Sequence, residues 1–181
     1  MKEIEVKILD IDRKEVEERL TSLGAKKILD SDIQTIFFDF QDGKIIKAKD
    51  VLRLRREDNK VELTYKKVHT TQTAKEAEEY SVDVSNIEEM RKILENLGLH
   101  ETENMLKHRI SYKLDNARFD MDHYLEAYSF IPEFMEIEAE NTELIDHYAE
   151  LLGFKPKDCL PWSTYDIIQY YSSKKEKVSE G

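Results

Sequence analysis

The chain has 181 residues, enough for one domain with a sizeable core. Charged residues make up 37% and the net charge is −11, with a pI near 5.0; so acidic a balance argues against general nucleic-acid binding, which needs a basic face. The single cysteine, Cys159, excludes a disulfide framework or a cysteine-based zinc site and fits a reduced cytosol. The N-terminus has no apolar signal core, and no apolar run approaches the ~18 residues of a membrane span. A cytoplasmic protein with no membrane and no nucleic-acid partner is expected.

In chain order, Glu3-Ile4-Glu5-Val6-Lys7-Ile8 alternates as a strand. A helix follows with Val16, Leu20 and Leu23 at helical spacing, Asp12 as its cap and Gly24 as its stop. Ile36 to Phe40 reads as a strand. Val51 to Arg56 and Val61 to Lys67 read as a hairpin about Asp58-Asn59. Tyr80 to Val84 alternates again, and Ser85 with Glu88 three residues on has the form of a capping box. The next helix carries Ile87, Met90, Leu94 and Leu97 and stops at Gly98. Lys107 to Leu114 and Arg118 to Tyr124 read as a hairpin about Asp115-Asn116. Met135 to Ala139 is a strand; Asn141 or Thr142 caps a helix through Leu144, Ile145, Tyr148 and Leu152 that stops at Gly153. Thr164 to Tyr171 is expected to be the last helix. Residues 1–171 are read as a single domain and 172–181 as a flexible, polar, lysine-rich tail. The order β-α-ββ-β recurs and predicts an internal pseudo-symmetry.

Successive strand residues point to opposite faces. One face is charged throughout. It carries Glu3, Glu5 and Lys7, then Arg53 and Arg55, then Glu62, Thr64 and Lys66, then Glu79, Ser81 and Asp83. It continues with Lys107, Arg109, Ser111 and Lys113, then Arg118, Asp120 and Asp122, then Glu136 and Glu138. The other face is apolar, and amphipathic helices can cover only that one. A sheet that curls with its helices outside turns the charges inward, where pairing, water, or a polyanion with metals must offset their burial. Periodicity alone equally admits a plain antiparallel sheet with a solvated charged face.

Glu3-Ile4-Glu5-Val6-Lys7 resembles the ExExK signature of the CYTH superfamily. That group, the triphosphate tunnel metalloenzymes, includes class IV adenylyl cyclases, thiamine triphosphatases and inorganic triphosphatases. Further strands match in order: Leu52-Arg53-Leu54-Arg55 is similar to the paired-arginine strand and Leu63-Thr64-Tyr65-Lys66 to LTxK. Glu79-Tyr80-Ser81-Val82 is similar to EYEV, Lys107-His108-Arg109 to KxR, and Phe134 to Glu138 to FxEIE. The resemblance runs from Glu3 to about Ile168. It implies an α+β fold: an eight-stranded antiparallel β-barrel, or tunnel, with a charged lumen and helices packed outside. Thr35 and Phe37 depart from the family's DxYF, and Ser81 stands where the second Glu of EYE is expected.

A triphosphate carries roughly four negative charges near neutral pH. It needs cations that keep their protons. Lys7, Arg53, Arg55, Lys66, Lys107 and Arg109 are the triphosphate-binding candidates. Glu3, Glu5, Asp122, Glu136 and Glu138 are the metal-ligand candidates, a carboxylate set suited to Mg2+ or Mn2+. Glu79 and Arg118 are additional site candidates. Lys7 and Glu5 are the catalytic candidates, Lys7 by assisting proton transfer where neighbouring cations lower its pKa. The leading expectation is a class IV adenylyl cyclase-like reaction, ATP to cyclic AMP and pyrophosphate. The alternatives are a triphosphatase acting on inorganic, thiamine or nucleoside triphosphate, and a non-catalytic triphosphate or nucleotide sensor. The partner in each case is a small-molecule triphosphate such as ATP, inorganic triphosphate or thiamine triphosphate, and the resemblance adds a homodimer.

Overall fold

Period-two alternation places every expected strand in the computed structural model, which describes residues 4–70 and 75–179. The strands are β1 (Ile4–Ile8), β2 (Lys26–Phe40), β3 (Val51–Glu57), β4 (Lys60–Thr70), β5 (Lys75–Asp83), β6 (Leu99–Leu114), β7 (Ala117–Tyr124) and β8 (Phe134–Ala139). The helices are α1 (Arg13–Ser22), α2 (Lys44–Lys47), α3 (Ile87–Asn96), α4 (Thr142–Leu151) and α5 (Thr164–Ser179). The strands form one eight-stranded sheet in the order β1-β8-β7-β6-β2-β3-β4-β5. Neighbours run antiparallel wherever register is defined. The fold is α+β; among the described residues β1 and β5 end the order, so the sheet is not closed into a ring.

Two strands are much longer than their side chains announce. The first ten residues of β2 and the first eight of β6 are polar-rich, and β6 opens Leu99-His100-Glu101-Thr102-Glu103-Asn104. Backbone ladder bonds hold such segments regardless of side-chain polarity, so periodicity could not report them. The short α2 was also not read from the sequence. It is organised by Asp39, whose carboxylate accepts from the backbone N–H of Phe40, Ile45 and Ile46 at 2.7, 2.9 and 3.0 Å. Helix α5 continues to Ser179, through most of the stretch read as a tail.

The caps follow the expected chemistry with one shift. Asp12 accepts from Glu15 N–H at the start of α1, and Asn141 from Leu144 N–H at the start of α4. The cap of α3 is Asn86, which accepts from both Glu88 and Glu89, and not Ser85. Gly24, Gly98 and Gly153 adopt φ of 86°, 89° and 84° at the three stops, a region costly to residues with a Cβ.

The chain divides into two compact units, one of residues 1–31 with 107–181, the other of residues 32–106. In the first, α1 and α4 bury Val16, Leu20, Ile145, Tyr148 and Leu152 against Val6, Ile8, Phe119, Met121, Met135 and Ile137. In the second, α2 and α3 bury Ile45, Ile87 and Leu94 against Ile36, Phe38, Leu54 and Leu99. Helices therefore cover the apolar strand face in each unit. Among the described residues no helix is long and apolar enough to cross a membrane.

Candidate functional site

Register turns the charged face of the first unit into rows. Lys7, Glu136, Asp120 and Ser111 stand opposite one another across β1, β8, β7 and β6. Glu5, Glu138, Arg118 and Lys113 form the next row, and Phe134, Asp122 and Arg109 a third. Lys107 stands opposite Tyr124. Directly opposed residues have Cβ atoms about 5 Å apart, so side chains in adjacent rows reach one another.

Arg109 is the hub. Its Nε donates to Asp122 Oδ1 at 2.6 Å and its Nη2 to Asp122 Oδ2 and to Glu136 Oε2, the latter at 2.6 Å; Nη1 donates to Asp120 Oδ2. Lys107 Nζ donates to the same Asp122 Oδ2 at 2.5 Å. Arg118 Nε holds Asp120 Oδ1 at 2.8 Å, and its Nη2 donates to Ser111 Oγ at 3.3 Å. Lys7, 2% exposed, lies 3.2 Å from Glu5 Oε1 and 3.3 Å from Glu136 Oε1. Isolated charges buried this deeply would be expensive; paired and hydrogen-bonded, they are tolerated.

The electrostatics follow from these pairs. Burial opposes the charge on Glu136, but Arg109, Lys107 and Lys7 outweigh it and hold the carboxyl below the usual carboxylate range. Burial also opposes the charge on Lys7, yet Glu136 and Glu5 outweigh it and raise its pKa. The condition for Lys7 to assist proton transfer, a lowered pKa, is therefore not met in this arrangement. Lys107 is lowered, by burial first and by Arg109 next. Burial raises the Tyr124 phenol, and the Lys107 ammonium lies 5.9 Å from that ring.

In the second unit, Arg53, Arg55, Glu62, Thr64, Lys66, Glu79 and Ser81 share one face of β3, β4 and β5. Lys66 pairs with Glu79 at 2.7 Å. The Nε atoms of Arg53 and Arg55 are shielded from solvent and make no hydrogen bond among the described residues.

Of the metal-ligand candidates, Glu3 lies outside the described residues. Asp122 has both oxygens committed to Lys107 and Arg109, which makes it a counter-ion in this arrangement. Glu5, Glu136 and Glu138 share the charged face of two adjacent strands, with Glu5 directly opposite Glu138. As hard oxygen donors they fit a divalent cation by chemistry and register. Glu5 and Glu136 are turned toward Lys7 and Arg109, and no group of three or more His, Cys, Asp or Glu among the described residues converges as a metal-holding cluster. Sequence parity had placed Asp120 and Ser111 on this face without giving them a role. Tyr124 was missed, although its spacing from Asp120 and Asp122 carried the same signal.

The sheet, its outer helices and this array of opposed charges define a class of protein. The CYTH domain family model matches residues 1–157, and the chain belongs to that family. A Methanocaldococcus jannaschii protein, provisionally named an adenylate cyclase, is 32% identical over 122 residues, covering 67% of this chain and 70% of its own. A Pyrococcus horikoshii structure is 24% identical, with a TM-score of 0.74, over 91% of this chain and 98% of its own. A Hippeastrum structure, described as a provisional adenylyl cyclase with a dominant triphosphatase activity, is 15% identical, with a TM-score of 0.66, over 94% and 96%. At such identities the two structures bear on the fold alone.

Proposed function

We propose that this chain is a metal-dependent enzyme acting on a small-molecule triphosphate, and that its reaction is the adenylyl cyclase type, ATP to cyclic AMP and pyrophosphate. The single observation that carries the triphosphate reading is the array, buried at Lys7, Lys107, Arg109, Asp120 and Asp122, in which these cations and Arg118 interleave with Glu5, Asp120, Asp122 and Glu136 on one strand face. Such an array is costly for a fold that makes no use of it. The cyclase assignment draws on the provisional name of the 32% identical relative. Triphosphate hydrolysis is the second reading, drawn from the activity described for the Hippeastrum protein.

The array also argues for a divalent cation. With Glu138 in its row, the face carries at least as many carboxylates as cations. A triphosphate of roughly four negative charges would be repelled unless positive charge entered with it. Glu5, Glu136 and Glu138 would hold the ion, Mg2+ or Mn2+, with Glu3 a further candidate. When bound, such an ion polarises the phosphoryl group and lowers the pKa of a coordinated nucleophile. The rest is charge neutralisation and positioning by the protein. Lys7 and Lys107 offer ammonium groups, and Arg118, the more exposed guanidinium, a planar fork. Arg109 holds Asp120, Asp122 and Glu136 in fixed positions. Within the second unit, Arg53, Arg55 and Lys66 are proposed as phosphate-binding cations on that unit's own charged strand face.

The test is to incubate the purified chain with ATP, inorganic triphosphate and thiamine triphosphate, each with Mg2+ or Mn2+, and to resolve products by ion exchange. Cyclic AMP with pyrophosphate supports the cyclase. Orthophosphate without cyclic AMP assigns the triphosphatase, and tight binding without turnover returns the chain to a sensor.

A further inference from the structure

The charged face of the first unit changes character along its strands. Beyond the row of Phe134, Asp122 and Arg109, the next residue of β6 on that face is Lys107, and the residue opposite it on β7 is Tyr124. Lys107 thus stands where the charges give way to an aromatic wall. Tyr124 and Phe134 are 2% and 1% exposed, with ring centroids 5.8 Å apart, and the Tyr128 ring lies 6.1 Å from Tyr124.

A lysine in that place needs holding. Lys107 Nζ donates to Asp122 Oδ2 at 2.5 Å, and Arg109 Nη2 donates to the same oxygen. Two cations on one carboxylate oxygen repel each other, and burial leaves that repulsion poorly screened. A lysine stem is long and flexible enough to carry its ammonium away to water. Lys107 nevertheless stays buried, and its Nζ lies 5.9 Å from the Tyr124 ring centroid. That is within the ~6 Å over which the face of an aromatic ring attracts a cation. The phenol of Tyr124 shares a hydrogen bond with the hydroxyl of Thr164, the first residue of α5. Its polar end is therefore satisfied by α5, and Tyr124 meets Lys107 with its ring. Packing against Phe134 and Tyr128 fixes the plane of that ring.

We infer that Tyr124 is a positioning residue, whose ring holds the Lys107 ammonium on the charged face beside Asp122 so that it is in place before an anion arrives. An ammonium left to sample several rotamers would lose that freedom on binding, and the affinity would fall by the same amount. Tyr124 acts only through Lys107 and touches no ligand itself. The inference deepens the triphosphate reading and rests on it for the identity of the anion. The contact between ring and ammonium stands on the geometry alone.

The test titrates the full chain with inorganic triphosphate and Mg2+ by calorimetry, and follows the Lys107 ε-methylene resonance by NMR with no ligand present. Tyr124→Phe keeps the ring and should bind within about twofold of wild type. Para-cyanophenylalanine in place of Tyr124 keeps the ring's shape but drains electron density from its face, so affinity should fall about threefold or more. Tyr124→Leu removes the ring and should lose about tenfold. The two ring-bearing variants fill the buried site, so the comparison between them holds even where Tyr124→Leu impairs folding. In a Lys107→Ala background these differences should disappear, because they act through that ammonium. Equal affinity of the para-cyano and Tyr124→Phe variants, or losses that persist without Lys107, overturns the inference. Without ligand, the ring current should displace the Lys107 resonance in wild type and Tyr124→Phe, and not in Tyr124→Leu. If triphosphate does not bind the wild type at all, the triphosphate reading fails and the resonance decides alone. A displaced signal then upholds the held ammonium, and an undisplaced one removes it.

Discussion

Arg109 makes four hydrogen bonds into three carboxylates while nearly sealed from water. That geometry gives Asp122 a role its position in the strand does not announce. Removing one partner from a buried ion pair leaves an uncompensated charge and costs ~3–5 kcal/mol. Asp122→Asn should therefore lower the urea midpoint substantially with EDTA present, since the loss is one of ion pairing and needs no metal. A change below about 1 kcal/mol would mean that Lys107 and Arg109 find other partners. The sequence showed which residues share this face, because strand parity is local. It could not show that Asp122 turns toward Lys107 and Arg109, or that Lys7 is raised by Glu136 and Glu5. Side-chain choice among several opposite charges depends on neighbours from four strands.

At the scale of elements, local chemistry was most legible where one side chain meets one backbone group. Asp12 and Asn141 cap as expected, whereas Ser85 yields to Asn86, whose longer reach collects two N–H groups. The glycine stops share a left-handed φ but differ in what a side chain would meet. At Gly98 nothing lies within 4 Å of an added Cβ, whereas at Gly153 it would overlap the Arg19 guanidinium, which donates to Leu152 O. Both alanine variants should incur the backbone cost of ~1–2 kcal/mol. Gly153→Ala should be about 1 kcal/mol worse than Gly98→Ala, the scale of one hydrogen bond lost. In an Arg19→Ala background that excess should vanish in urea unfolding; an excess that persists would place the cost in the α4 backbone instead. The long strands β2 and β6 and the single turn α2 were not legible, because ladder bonds and the buried Asp39 hold them and neither leaves a periodic signal.

At the scale of the whole molecule, strands β2 and β6 each run from one compact unit into the other, and the first unit is assembled from two separate stretches of sequence. A ligand that binds only the folded chain raises stability by about 2.7 kcal/mol at a hundredfold excess over its Kd. Triphosphate with Mg2+ should raise Tm accordingly, and EDTA should abolish both turnover and most of that rise. Full stabilisation and turnover in EDTA would remove the metal from the proposal. The sequence by itself determined the strands, most caps, the split into an apolar and a charged face, and the family, because period-two alternation and short motifs are properties of neighbouring residues. Only the tertiary structure decided the strand order, the length of β2 and β6, and which acid answers which base. Those depend on register between strands far apart in the chain, which composition and spacing do not encode.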